Sequence, residues 1–426
     1  MAGDDNRLAR RPVHPGRILF LLTGLNFLNY LDRYIFFGVQ PLIQAEFHRS
    51  DAQMGLVTSA FFFVYMFTAP ATGYFGDRYS RKRIMVGGAL LWSAATLLTA
   101  LTHSFSTLVL RHVLVGLGEA TFVVIAPAYL ADLYPEDRRG RMLSLFYLAL
   151  PCGSALGYIV GGYLGYHFGW RSPFYVAGLP GAQIAIALIF TTEPVRGHSD
   201  RIAATPERAT LLGLRRNGAF WMASLGLAMI TFALGGFSAW MPTFFNRSRG
   251  LPLDQANLIF GGILVVAGFF ATLLGGWAGD RLLRRTAASF YLVSGVGMVV
   301  ALPATLVAIH ARGWMMYAGM ASAAFFLLVN TGPLNAALVN SVAAPIRASA
   351  IAVNLFFIHL LGDAFSPAVI GFISDRSNLE TGFLAAVAAI VMAAVFLFYG
   401  MRFAPEGPLA SAQGTAGSGA PGYAAS

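Results

Sequence analysis

The chain alternates long apolar runs with short polar punctuation, and twelve of the runs approach the roughly 20 residues that a bilayer-crossing helix needs. The runs lie near 18–40, 54–75, 84–103, 105–132, 140–165 and 172–191, then near 218–245, 255–279, 286–309, 314–339, 347–374 and 380–402. Between the sixth and seventh stands an arginine-rich stretch, 193–216, with no apolar periodicity. The residues after 403 are rich in Gly, Ala, Ser and Pro, a composition that predicts disorder. The pattern therefore predicts an all-α polytopic membrane protein. Its expected segments are an N-terminal piece over 1–17, a six-helix bundle over 18–192, a linker over 193–217, a second six-helix bundle over 218–403 and a disordered tail over 404–426.

The first run is the unusual one, because Asn26, Asn29, Asp32 and Arg33 interrupt its centre. A central Asp or Arg disfavours membrane insertion by roughly 2.5–3.5 kcal/mol, so such charges face a wet interior or pair with one another. Two readings stay open at this point: a pathway for ions or substrate, or an ion pair that only locks helices together. Neighbouring residues sit about 100° apart on a helix, so Asp32 and Arg33 each need a partner on some other helix.

Composition supports the membrane reading. The 426 residues are 57% hydrophobic and only 11% charged, against about 25% charged in soluble domains. The net charge of +10 does not point to nucleic acid, because the cations cluster between alternate runs. Of the 29 Lys and Arg, 21 fall on the side holding both termini and six on the other, which makes the first side cytoplasmic. The N-terminal arginines resemble the start of a signal peptide, but the run after them is too long and lacks a small-residue cleavage site. Cys152 stands alone, so an intrachain disulfide and a multi-cysteine metal site are both excluded.

One motif occurs twice. Gly73-Tyr-Phe-Gly-Asp77-Arg78-Tyr-Ser-Arg81-Lys82-Arg83 follows the second run, and Gly276-Trp-Ala-Gly-Asp280-Arg281-Leu-Leu-Arg284-Arg285 follows the eighth. Each glycine is expected to let two helices approach closely, each Asp to lie near the start of the next helix, and the cations to anchor the cytoplasmic face. The repeat resembles the signature loop of the major facilitator superfamily. That resemblance implies twelve helices in two pseudo-symmetric six-helix bundles, rocking about a central site. It assigns Gly73, Asp77, Arg78, Arg81, Gly276, Asp280 and Arg281 to gating.

The fourth run carries His112, Gly116 and Glu119, and the seven-residue spacing puts His112 and Glu119 on one face. The superfamily resemblance implies that Asp32, Arg33 and Glu119 meet in the cavity. Arg33 pairing with Glu119 in one state would leave Asp32 to exchange a proton, and a permanent strut is the alternative.

A narrower resemblance, to the spinster family, rests on several spans at once. They are Asn29-Tyr-Leu-Asp-Arg33, Val115-Gly-Leu-Gly-Glu119-Ala, Ala126-Pro-Ala-Tyr-Leu-Ala-Asp132-Leu, the stretch from Arg141 to Tyr158, and His359-Leu-Leu-Gly-Asp363 continuing to Asp375. Spinster proteins resemble exporters of lysophospholipids or sphingosine phosphate, with proton coupling proposed. Where that family usually has Arg, this chain has His112, and its neighbour Arg111 is expected to reach toward the outer interface. His112 then faces inward, either titrating near neutral pH or held neutral by a hydrogen bond.

The resulting expectation is a proton-coupled secondary transporter of a lysolipid-like or amphiphilic organic anion. A transporter of small polar organic anions or drugs on the same fold is the alternative. Asp32, Glu119 and His112 are the candidate proton carriers, and Arg33, Asn29, Glu119 and Asn330 the candidate substrate contacts. His359 and Asp363 form a polar site in the second half, with Asp363 favoured as a hinge whose partners come from loosened backbone. No metalloprotease, nucleophile-elbow or phosphate-loop motif argues for an enzyme, and no metal or cofactor is implied. The expected partners are the substrate, protons and the bilayer, with no nucleic acid. The expected setting is a bacterial inner membrane, the protein working as a monomer.

Overall fold

The computed structural model describes residues 14–194, 211–342 and 347–404, apart from the side chains of Asp77, Glu136, Asp137, Arg139 and residues 211–213 and 347–349. The N-terminal segment through 13, linker residues 195–210 and the expected disordered tail from 405 lie outside the described residues.

Helices account for nearly everything described, and no strand occurs among those residues. In order they are α1 (Pro15–Phe47), α2 (Asp51–Arg78), α3 (Arg81–Ala100), α4 (Phe105–Leu133), α5 (Glu136–Tyr147), α6 (Ala149–Phe168) and α7 (Ser172–Ile189). A 3-10 turn at Leu211–Arg216 occupies the end of the expected linker. It leads to α8 (Gly218–Arg247), α9 (Leu253–Leu283), α10 (Ser289–His310), α11 (Trp314–Leu328), α12 (Thr331–Asn340), α13 (Arg347–Ile358), α14 (Ser366–Arg376), α15 (Leu379–Gly382) and α16 (Leu384–Gly400).

Four of the expected spans are broken helices, and prolines explain three of the breaks. A proline has no N–H to return to the carbonyl four residues earlier, so the helix loosens ahead of it. Pro151 follows the α5/α6 break at Leu148, and Pro333 follows the α11/α12 break. Pro367 follows a wide π turn over His359–Asp363, where Gly362 leaves helical angles (φ −103°, ψ −109°). Counting the broken pairs together, eleven described spans are long and apolar enough to cross a membrane. The remaining helix, α1, has 33 residues, and its central polar side chains lower its hydropathy.

The described residues fall into two compact units. One draws on Met1–Thr205, Leu234–Val265 and His359–Ala386, the other on Pro206–Ala233, Val266–Ile358 and Val387–Ser426. In the first unit, α6 lies against α1 along a ladder of glycines. A Cβ on Gly157 would sit 2.6 Å from the Leu31 carbonyl oxygen, and one on Gly161 3.0 Å from that of Ile35. Only glycine permits that approach. It seats α1 backbone to backbone on α6 and turns Asp32 and Arg33 toward α3 and α4.

Candidate functional site

Asp32 and Arg33 find partners on two different helices, as their 100° separation requires. The Thr96 hydroxyl of α3 donates to Asp32 Oδ2. Arg33 donates to Glu119 Oε2 of α4 through Nη2 at 2.7 Å and Nε at 3.3 Å. Glu119 is fully buried, and its second oxygen, Oε1, has no partner. Asn26 donates to the Phe146 carbonyl at 3.0 Å, whereas both amide atoms of the fully buried Asn29 are unpartnered.

Aromatic rings enclose the Arg33 guanidinium. Its central carbon lies 4.9 Å from the ring centre of Phe61, 5.2 Å from Tyr65, 5.5 Å from Tyr30 and 5.7 Å from Phe62. Ring faces attract a cation without competing for its N–H groups, so they hold the charge in place where water is scarce. Phe62 and Tyr65 contact His359 on their own account, at 6.2 and 5.7 Å between ring centres. His359 Nδ1 lies 3.0 Å from Asp363 Oδ1. The structure thus brings two polar pairs, Arg33–Glu119 and His359–Asp363, to the same aromatic pair. Asp363 takes the imidazole as its partner, where loosened backbone was expected, because four residues separate the two side chains and put them on one face.

His112 is buried and stacks on Phe36 at 4.1 Å, with Phe61 at 5.2 Å. Its neighbour Arg111 turns away to the Leu98 carbonyl and the Thr102 hydroxyl at the far end of α3, as expected. Asn330 lies in the other unit, where its amide donates to the Leu327 carbonyl on its own chain segment.

The repeated loops depart from expectation. A Cβ on Gly73 would meet only Val124 Cγ1, at 3.9 Å, and one on Gly276 would meet nothing within 4 Å. The close approaches lie elsewhere, at Gly275, one residue before Gly276, against the Val329 carbonyl, and at Gly76, three residues after Gly73, against Ile125 at 3.2 Å. One residue turns a helix by about 100°, enough to move the second contact from Gly276 to Gly275. Asp77-Arg78 and Asp280-Arg281 both lie in the closing turns of α2 and α9, ahead of the helix starts where the carboxylates were expected. The side chain of Asp77 is outside the described residues. Arg78 lies over the Tyr74 ring at 3.5 Å and donates to the Tyr74 carbonyl, and Arg81 pairs with Asp132 at 2.5 Å. Asp280 and Arg281 are exposed, Arg281 lying 5.6 Å from the Trp277 ring centre.

A second charged cluster, at the end of the first unit that carries turn 48–50, escaped the sequence reading. Asp51 at the start of α2 accepts two hydrogen bonds from Arg247 (2.9 and 2.7 Å), one from Gln44 (2.5 Å) and one from Ser374 (2.5 Å). Asp375 accepts the backbone N–H groups of Asp51 and Ala52, at 2.7 and 3.0 Å. A charge flanking an apolar run is unremarkable in a membrane protein, so neither Asp51 nor Arg247 stands out. The usable signal was a carboxylate directly at a helix start beside an Arg-ended run.

Comparison with known proteins identifies the family and the fold. The major facilitator superfamily model matches residues 22–362. Protein spinster homolog 1 of Bos taurus is 37% identical over 388 residues, which cover 85% of this chain and 74% of that one. The sphingosine-1-phosphate transporter SPNS2 of Xenopus tropicalis is 36% identical over 379 residues, covering 85% and 74%. Among solved structures, a bacterial homolog of the human lysosomal transporter spinster, inward-facing and unoccupied, superposes with a TM-score of 0.83. It is 25% identical, over 92% of this chain and 97% of that one.

Proposed function

The chain belongs to the spinster family of the major facilitator superfamily and is an integral membrane transporter, and we propose that it carries a lysolipid-like amphiphilic anion coupled to protons. The observation that carries this reading is the buried Arg33–Glu119 pair, in which one carboxylate oxygen is used twice and the other is unpartnered. Buried ion pairs are poor stabilisers because desolvation offsets most of the Coulomb gain, so their retention favours a switching role.

The cycle runs as follows. A proton arriving at Glu119 cancels its charge and releases the Arg33 guanidinium, which then takes the anionic head of the cargo. Asn29 offers that head its free amide N–H group, and the Phe and Tyr side chains around Arg33 accommodate the start of the tail. Asp32, held by Thr96, exchanges a second proton, and His112, two helical turns from Glu119 on the same face of α4, is a third proton carrier. His359 and Asp363 read the state of Arg33 through the shared Phe62 and Tyr65 rings. The halves 18–192 and 218–403 are the moving bodies of alternating access, with Gly73, Asp77, Arg78, Arg81, Gly276, Asp280 and Arg281 at their gates. Asn330, whose amide donates to the Leu327 carbonyl, is the substrate contact of this reading from the second half. The protein works as a monomer in a bacterial inner membrane with both termini cytoplasmic. In that orientation the Asp51 cluster closes the outer end.

The test is flux of a fluorescent lysophospholipid in proteoliposomes under an imposed pH gradient. Wild-type protein accumulates lysolipid in proportion to the gradient, while Asp32→Asn and Glu119→Gln abolish the gradient dependence. Gradient-driven flux that persists in both variants would sink the proton assignment. Flux of small polar anions with none of lysolipid would overturn the cargo.

A further inference from the structure

The second copy of the repeated loop differs from the first in having its cations unspent. In the first copy Arg81 pairs with Asp132, and Lys82 donates to the Ile189 and Thr191 carbonyls at 3.0 and 2.7 Å. In the second copy Arg281, Arg284 and Arg285 are all exposed, and none makes an ion pair or side-chain hydrogen bond with another described residue. Asp280 beside them is exposed as well, so the cluster keeps a net positive charge.

Beneath this cluster lies a groove of about 350 Å³, lined by Leu282, Leu292, Val296, Gly297, Phe326 and Val329 with one further valine. Its wall is apolar throughout. Leu282 belongs to both features: it lines the groove, and its carbonyl accepts the N–H groups of Arg285 and Thr286 that form the basic turn. Gly297 forms the floor where α10 meets α11, since a Cβ there would come within 2.8 Å of Val329 Cγ1. The exposed residues of α10 are Val296, Val299, Pro303 and Val307 before the terminal His310, spaced three or four apart. A continuous apolar stripe of that kind on a membrane helix faces acyl chains, so the groove opens to lipid.

The geometry points to a binding site for an anionic diacyl phospholipid of the surrounding bilayer, its phosphate held by Arg281, Arg284 and Arg285 and one acyl chain laid in the groove below. The match is one of charge and depth. Arginines attract phosphate strongly at headgroup level, and the groove descends about two helical turns from the turn that carries them. The site lies wholly within one unit and does not involve Arg33 or Glu119, so it is separate from the cargo site proposed above and shares only Arg281 with the gating loop.

Native mass spectrometry of the full-length protein in detergent, titrated with phosphatidylglycerol and separately with phosphatidylcholine, tests the assignment. Wild-type protein should retain one phosphatidylglycerol at a concentration at least tenfold below that needed for phosphatidylcholine. Replacing the three arginines together by Gln should erase that preference, whereas replacing all three by Lys should keep most of it. Val296→Trp, which fills the groove with the arginines intact, should weaken phosphatidylglycerol retention at least fivefold. Glu119→Gln should leave it unchanged, which separates this site from the cargo site. Equal retention of the two lipids by wild-type protein, or wild-type retention by the triple Gln variant or by Val296→Trp, would overturn the proposal.

Discussion

Two charged clusters in the same unit handle their carboxylates in opposite ways. Asp51, at the end of the helices, is 4% exposed and accepts four hydrogen bonds, from Arg247, Gln44 and Ser374. Glu119, in the interior, is fully buried, yet all its bonds converge on one oxygen while the other has none. A buried polar atom left unpaired costs about 1–3 kcal/mol, so the free Glu119 oxygen is a place where a proton, a water or a ligand group would be held. The saturated cluster is a clamp, and the unsaturated one is open to chemistry.

The largest expected effect tests the interior cluster. Arg33→Ala strands a buried carboxylate, which costs about 3–5 kcal/mol and should appear as a large drop in thermal stability in detergent. Exchanging the charges, Arg33→Glu with Glu119→Arg, should regain part of that loss. If neither single change lowers stability, or the exchange regains nothing, the pair is not the feature that sets this cluster apart.

At the clamp the loss should be smaller, because the Arg247 side chain is 44% exposed and two of the bonds to Asp51 survive it. Arg247→Ala should cost about 1.5 kcal/mol, within the range for bonds to a charged group. The consequence is local opening. In a Cys152→Ala background, a cysteine placed at the buried Val57 should be alkylated about tenfold faster once Arg247 is removed, and Arg247→Lys should partly restore protection. Unchanged labelling would mean that the cluster holds nothing shut.

Thr96→Val removes the hydroxyl bonded to Asp32 while keeping the side chain's shape, and about 1 kcal/mol of stability should go with it. That threonine also marks where the sequence stops being legible. Asp32, Arg33 and Glu119 announce themselves because charge within an apolar run is rare, and the twelve runs are legible for the same reason. A threonine in such a run is unremarkable, so nothing singled out Thr96. Nor did anything single out Phe61, Phe62 and Tyr65, three aromatics among 35 Phe and 16 Tyr. The clamp escaped because Asp51 and Arg247 are 196 residues apart and each sits at a span end, where charge is expected. The loop glycines misled for a different reason. The motif fixes their position along the helix, but one residue of helical phase decides whether Gly275 or Gly276 meets the Val329 carbonyl.

The smallest effect provides a control for the clamp from the same end of the unit. Glu46, past the end of the first apolar run, accepts two bonds from Arg171 and one from the Trp170 indole, each 2.7 Å. The Arg171 bonds, aided by Trp170, lower its carboxyl from 4.5 to about 2. Because the folded value lies below the unfolded one, the stabilisation is full above pH 4.5 and is lost as pH falls through about 2. The Glu46 side chain is 41% exposed, so water screens the pair and its contribution stays under about 1 kcal/mol. The difference in melting temperature between wild-type protein and Glu46→Gln should therefore be small at pH 7 and shrink steadily below pH 4.5. A difference as large as that of Arg247→Ala would mean that exposure does not set the ranking at this end. Asp51 would then owe its importance to something other than being buried and saturated.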